Sequence, residues 1–226
     1  MSDRTVDVWI RVTSQPQVDA AGPEHAGLPA DGLDEHERRR WRGFTDPRDA
    51  AAYLDLHLLA RSEIGRLLRQ PLESLRFDRT CPDCGLQHGA PRLLDDPDLH
   101  VSLSRSRRVV ALAVSRVGPL GIDVEHCAGT AFDGFAAVAL HPDERRHAPG
   151  SLAATIAWVR KEASLKALRV GLRVDATTFA APVPGVAARV VVGLPSVTVA
   201  DVAAPPGYAA AVAVRSTSGD LDVVGH

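Results

Sequence analysis

Aromatic residues make up only 4% of the 226 positions, and there are three cysteines and a single methionine. So few rings leave too little stacking surface for a protein that grips single-stranded nucleic acid. Three thiols cannot all pair with one another. The opening residues MSDRTVDVWIRV lack the basic start and apolar core of an export signal. Reduced thiols and a cytoplasmic location are therefore expected. No apolar run nears the roughly 20 residues of a membrane span, so no membrane association is expected. The formal net charge of −2 gives no bulk attraction for nucleic acid. What remains is an ordinary globular mix, 45% hydrophobic and 24% charged. It is long enough for one large domain or two small ones of about 110 residues each.

Alternation of apolar residues marks a strand over 6–12. Residues 13–32, rich in Pro, Gly and Ala, read as a loop. DEHERRRWR (34–42) predicts an exposed helix, and a second helix is expected over 47–69, with Tyr53, Leu54, Leu58 and Leu59 at helical spacing. Residues 79–91 read as a turn-rich loop. Paired strands are expected at 100–103 and 109–115, another strand at 121–125, a short helix at 131–140 and a strong one at 151–168. The tail returns to strands at 187–192, 196–203 and 207–215. RRVVALAVS (107–115) echoes GYAAAVAVRS (207–216). A duplicated α+β unit would produce this echo, and so would a chance likeness of two Ala/Val strands.

GIDVEHC (121–127) carries two acids in an otherwise apolar strand. Asp123 and Glu125 are two residues apart and so share a face, where they repel each other, more so if buried. Either the strand end is solvated or something positive sits between the acids. WVRKEASLKAL (158–168) places Glu162 and Lys166 one helical turn apart. By itself that is a surface ion pair worth a few tenths of a kcal/mol. Taken together, Asp123, Glu125 and Glu162 offer three hard oxygen ligands of the kind magnesium favours, with Lys166 as a point charge nearby. A divalent ion would make the adjacent carboxylates favourable. Magnesium with a lysine is a usual means of neutralising a pyrophosphate during displacement.

GIDVE followed by WVRKEASLK resembles, in order and spacing, the two signature motifs of the phosphopantetheinyl transferases, most strongly the group serving polyketide and non-ribosomal peptide synthetases. HGAP (88–91) and VSLSRS (101–106) fall where that family has two earlier motifs. The resemblance spans about 35–215. It implies an α+β fold of two similar α/β halves with pseudo-two-fold symmetry, residues 1–116 and 117–226, the active site between them, in a monomeric chain. It implies a holo-[acyl-carrier-protein] synthase activity: transfer of phosphopantetheine from coenzyme A, the substrate, to a serine of an apo acyl or peptidyl carrier protein, releasing 3′,5′-ADP. Asp123, Glu125 and Glu162 would hold magnesium, with manganese as a substitute. Glu162 would also act as base toward the carrier serine, and Lys166 would stabilise phosphate charge. Arg40, Arg48, Pro91, Ser104, Arg105 and Lys161 would contact coenzyme A. A non-catalytic relative that binds coenzyme A or a carrier protein without turnover is the alternative.

The chain departs from the family in places. Arg105 stands where histidine is usual, and Ala90 where a basic residue is common. Ala50, Ala51 and Ala52 follow Asp49 where arginines are frequent, and Arg169 occupies a position that is often glycine. An arginine grips phosphate as well as histidine does and stays charged. These changes bear on coenzyme A affinity more than on chemistry. ERRRWR (37–42) and RSRR (105–108) are basic clusters, read as a solvated helix face, as a nucleic-acid surface, or as a face steering coenzyme A or an acidic carrier protein. CPDCGLQH (81–88) is either half a zinc site, with Cys127, His100 or His126 to complete it, or a turn with two small buried cysteines. A zinc-dependent nucleic-acid binder is the reading that would follow from the first. Trp158 is expected in the core.

Overall fold

The structure is a computed structural model that describes residues 5–13, 30–216 and 219–226. The loop expected at 13–32 therefore lies largely outside the described residues. A large sheet is built from β1 (Thr5–Val12), β2 (Phe77–Thr80), β3 (Gln87–Leu93), β4 (His100–Ser106), β5 (Val109–Ser115) and β9 (Asp222–Gly225), in the order β2-β3-β4-β5-β1-β9. A small sheet has the order β6-β8-β7, from β6 (Leu120–His126), β7 (Val197–Val202) and β8 (Tyr208–Arg215). Among the described residues four α-helices complete the α+β fold: α1 (Glu35–Arg42), α2 (Pro47–Leu68), α3 (Phe135–Ala139) and α4 (Leu152–Leu168).

Period-2 alternation decides how these pieces stack. Trp9, Val101, Val110, Leu112 and Val114 turn to one face of the large sheet and meet Leu56, Leu59, Ala60 and Ile64 of α2. Val6, Val8, Val109, Ala111 and Ala113 turn to the other face and meet Ile122, Val124, Val212 and Val214 of the small sheet. The outer face of the small sheet, with Val197, Val199, Ala209, Ala211 and Ala213, lies under Val159, Ala163 and Ala167 of α4. The result is four layers: α2, large sheet, small sheet, α4. The two strands that echo each other, β5 and β8, are each flanked by strands on both sides and covered on both faces, which is why both read as unbroken Ala/Val runs.

Several expectations need correction. Residues 79–91 are a hairpin, β2–β3, whose turn occupies only 81–86. Pro82 and Gly85 mask the short strands on either side. The strand expected at 187–192 reduces to one isolated bridge, Ala188 with Val197. Gly185 and Gly193, with φ of +74° and +81°, bend the chain on both sides of it. Residues 222–225 add a strand that the sequence did not announce, pairing parallel to β1.

The helix α1 is exposed only in part. Arg39, Arg40 and Arg42 face solvent, but Glu37 and Trp41 are buried. Asp34 and Glu37 close a capping box at its start. Glu37 also accepts from Arg61 Nε at 2.7 Å, pairs with His57 Nδ1 at 3.0 Å, and bonds Arg79. Arg61, itself fully buried, donates further to Asp34 Oδ2 and to the carbonyls of Leu72 and Leu75. Burial alone would raise the Glu37 pKa. The hydrogen bond and charge of His57, then the charges of Arg61 and Arg79, outweigh it and hold the group at about 2.

Two outcomes follow for stability. Arg61→Met leaves Glu37 with fewer partners in the interior and should cost about 3–5 kcal/mol in denaturant unfolding. The depressed Glu37 pKa means its contribution is present above the unfolded value of 4.5 and fades as pH falls toward 2. The stability gap between the native protein and Glu37→Gln should therefore be widest near neutrality and narrow across that interval.

Candidate active site

The site begins at an unpaired strand edge. β6 is the outer strand of the small sheet, bonded to β8 on one side only. The amides of Ile122, Val124 and His126 point away from β8, and an N–H left unbonded there would cost free energy. The Ser102, Ser104 and Ser106 hydroxyls of β4 accept these three N–H groups at 3.0, 3.2 and 3.1 Å. Two of the hydroxyls also donate: Ser104 to Asp123 Oδ1 at 2.8 Å, and Ser106 to Glu125 Oε1. Each of these serines thus satisfies the edge of β6 and aims one of its acids. Only Ser104 was expected here. The signal for Ser102 and Ser106 was the same two-residue spacing in VSLSRS.

The helix α4 brings the remaining groups. A side chain on Gly121 would lie 2.1 Å from the Ala163 carbonyl and 2.5 Å from Lys166 Cβ, so the helix can rest on β6 only because this residue is glycine. At that distance Lys166 Nζ donates to Asp123 Oδ1 at 2.7 Å, to the Ile122 carbonyl at 3.0 Å and to Ser104 Oγ at 3.3 Å. Lys166 is therefore bound across the layers to Asp123, which displaces the simple surface pair with Glu162. Glu125 has its own glycine: a Cβ on Gly129 would meet Glu125 Oε1 at 2.4 Å. The Glu125 carboxylate also accepts the His126 amide at 2.8 Å.

Glu162 Oε1 is buried and, among the described residues, has no hydrogen-bond partner. Burial pushes the Glu162 pKa up, the negative charge of Asp123 adds to this, Lys166 opposes it, and Glu125 adds a little more. A buried carboxylate oxygen without a donor, held toward two further carboxylates, suits a cation. Asp123 and Glu125 each commit one oxygen to the serines. The three carboxylates do not close into a tight cluster. Among the described residues, Cys81, Cys84 and His88 alone form a group of three or more potential ligands whose atoms lie within 4.8 Å of one another. The acids nonetheless fit a hard divalent ion in kind.

The residues expected to contact coenzyme A divide. Ser104 and Arg105 are neighbours on β4 and so turn to opposite faces. Arg105 donates to Asp49 Oδ1 at 3.0 Å and lies over the Phe44 ring. Phe44 in turn packs on Tyr53, whose pKa burial pushes up to about 12, with Arg40 close enough to oppose that rise. Arg48, exposed, opens the N-terminal turn of α2 beside Asp49 and lines a 410 Å³ depression with Thr45, Asp46 and Pro47. Arg105 thus lies at Phe44, Arg40 near Tyr53, and Arg48 in the first turn of α2. Ala50, Ala51 and Ala52 are buried, which explains the absence of arginines there. Pro91 lines a separate 450 Å³ pocket with Arg92, His100, Arg169 and Arg215, a basic set the sequence did not single out. Arg169 there takes a left-handed φ of 59°, the conformation for which glycine is favoured.

Lys161 is a correction. It is wholly buried, and its ammonium bonds Glu144 Oε2 at 2.6 Å and the carbonyls of Ala139 and Ala176 at 3.1 and 2.9 Å. Consecutive helical residues point about 100° apart, so a lysine next to Glu162 leaves its face. Lys161 ties α4 to the segment after α3 and is not available to phosphates. Trp158 is half-buried against Phe135, as expected of a packing residue.

No helix among the described residues is long and apolar enough to cross a membrane. A comparison with curated proteins finds no match. Residues 119–187, which hold β6, α4 and every acid and lysine of the cluster, match the family model of the 4′-phosphopantetheinyl transferase superfamily, so the resemblance carried by the two acidic motifs holds over this segment.

Proposed function

We propose that the chain transfers the phosphopantetheine moiety of coenzyme A to a serine of an apo acyl or peptidyl carrier protein, releasing 3′,5′-ADP. The group of carriers serving polyketide and non-ribosomal peptide synthesis is the proposed partner class, and a cytoplasmic monomer the proposed form. The observation that carries this reading is Glu162, half-buried, with a buried and unbonded Oε1 and within electrostatic reach of Asp123, Glu125 and Lys166.

Asp123, Glu125 and Glu162 would hold magnesium, or manganese in its place. When bound, the ion supplies positive charge to the three acids and to the pyrophosphate of the substrate. Lys166, held by Asp123 and Ser104, would present its ammonium to the phosphates. Glu162, whose Oε1 has no hydrogen-bond partner among the described residues, would act as the general base that takes the proton of the carrier serine. The serine oxygen then bonds the β-phosphorus of coenzyme A. The bond from that phosphorus to the bridging oxygen breaks, and 3′,5′-ADP departs with the electron pair. Arg40, Arg48 and Arg105 are proposed to contact coenzyme A; Arg105 lies over Phe44 and pairs with Asp49 at the start of α2.

Intact-mass measurement of an apo carrier protein incubated with this protein, coenzyme A and magnesium is expected to reveal a gain of one phosphopantetheine, lost in EDTA. Coenzyme A binding with no gain on any carrier would favour the non-catalytic alternative. Glu162→Gln should fold, unfold no lower than the native protein without metal, and lose roughly 10²–10⁴-fold in turnover, the range of general-base catalysis. Full turnover in that variant would remove Glu162 from the mechanism. Arg105→Ala should raise the KM for coenzyme A and leave kcat nearly unchanged. Gly121→Ala should lift α4 from β6 and reduce both stability and turnover, whereas Gly118→Ala, in the preceding loop, should cost far less turnover.

A further inference from the structure

The β2–β3 hairpin carries a second constellation that shares no residue with the carboxylate cluster. Its turn is CPDCGLQH (81–88). Cys81 Sγ, Cys84 Sγ and a ring nitrogen of His88 all lie within 4.8 Å of one another, and Cys84 Sγ sits 3.0 Å from His88 Nε2. Zinc–sulfur and zinc–nitrogen bonds of about 2.3 and 2.0 Å set tetrahedral ligands about 3.5–3.8 Å apart, so these groups need only small shifts to share one ion. Neither Cys127, His100 nor His126 belongs to the group.

The backbone is arranged to hold the ligands. The Gly85 amide donates to the Cys81 carbonyl at 2.9 Å, and the Cys81 amide to the Leu86 carbonyl at 2.8 Å, which folds the loop back on itself. Gly85, with φ +72°, makes that reversal. All three cysteines are free thiols. Cys81 is buried while Cys84 and His88 are exposed, so one side of the group is anchored and the other is open to entry. Asp83, between the two cysteines, bonds Arg173 at 2.5 and 2.7 Å, and Arg173 donates to the Arg169 and Val170 carbonyls just past α4. The turn is thereby linked to the end of the helix that carries Glu162 and Lys166.

We propose that Cys81, Cys84 and His88 bind one zinc ion, with a solvent molecule as fourth ligand, and that this ion fixes the turn of the β2–β3 hairpin. Two sulfurs and an imidazole are soft and borderline donors that prefer zinc to magnesium. The site therefore differs in metal and in role from the carboxylate cluster, and the proposal goes beyond the transferase reading.

The test uses the full chain, purified reduced and without chelator, then given one equivalent of zinc or cobalt and desalted. One zinc per chain is expected by metal analysis, and the cobalt form should display a thiolate-to-metal charge-transfer band. Cys84→Ser and His88→Ala should lose both signals, Cys127→Ser should keep both, and chelation should lower the Tm of the native protein. Circular dichroism establishes that each variant is folded, and the cobalt spectrum of the native chain stands alone if one is not. No retained metal in the reduced protein, retention undiminished in both folded ligand variants, or a Cys81–Cys84 disulfide formed in preference to metal binding would each overturn the proposal. None of these outcomes depends on transferase activity.

Discussion

The contact between β4 and the free edge of β6 is what the rest of the site depends on. Three serine hydroxyls, one on every second residue, take the three outward amides of β6. A hydroxyl is both acceptor and donor, and two of these spend their protons on Asp123 and Glu125. The bonds that seat the small sheet on the large one are therefore the bonds that orient the acids. Alanine at Ser102 or Ser104 would leave a buried N–H of β6 unbonded, and at Ser104 or Ser106 it would remove one hydrogen bond from a carboxylate.

Close packing supplies the other half. Ala209, Ala211 and Ala213 on β8 and Gly121 on β6 present almost no side chain to α4, so the helix rests near the backbone. That approach delivers Lys166 to Asp123 and brings Glu162 into a region already negative. The arrangement is unfavourable for the protein alone: a buried acid without a donor, beside like charge. The contrast with Glu37 is instructive. More deeply buried, that acid is surrounded by His57, Arg61 and Arg79, which hold its pKa down at about 2. One acid has every partner it needs, and the other has been left short of one, which is the expected condition of a group that meets its partner only in the working complex.

Much of this was legible in the residues. Strand alternation in GIDVE and helical spacing in WVRKEASLK located β6 and α4, and the helix starts expected at 34 and 151 fall at the caps Asp34 and Ser151 of α1 and α4. That Asp123, Glu125, Glu162 and Lys166 are neighbours was readable, because the strand and helix patterns carrying them are both strong. Tertiary facts were not readable. Serines at 102, 104 and 106 look like a solvated strand face until a second sheet lies on them. Lys161 looks like a phosphate ligand until its direction on the helix is fixed by Glu144. Glu37 in a run of arginines looks exposed until Arg61 and Arg79 arrive from later in the chain. β2 and β3 vanish between turn residues, and the short β9 is held by β1 more than by its own pattern.

The most direct measurement is coenzyme A binding by calorimetry, with and without magnesium, for the native protein and for Glu162→Gln. The account predicts that magnesium tightens coenzyme A binding to the native protein and that this gain is largely lost in the variant, while binding without metal stays similar in the two. Affinity indifferent to magnesium, or an equal gain in both proteins, would contradict the claim that Glu162, Asp123 and Glu125 together await a cation and its phosphate ligand.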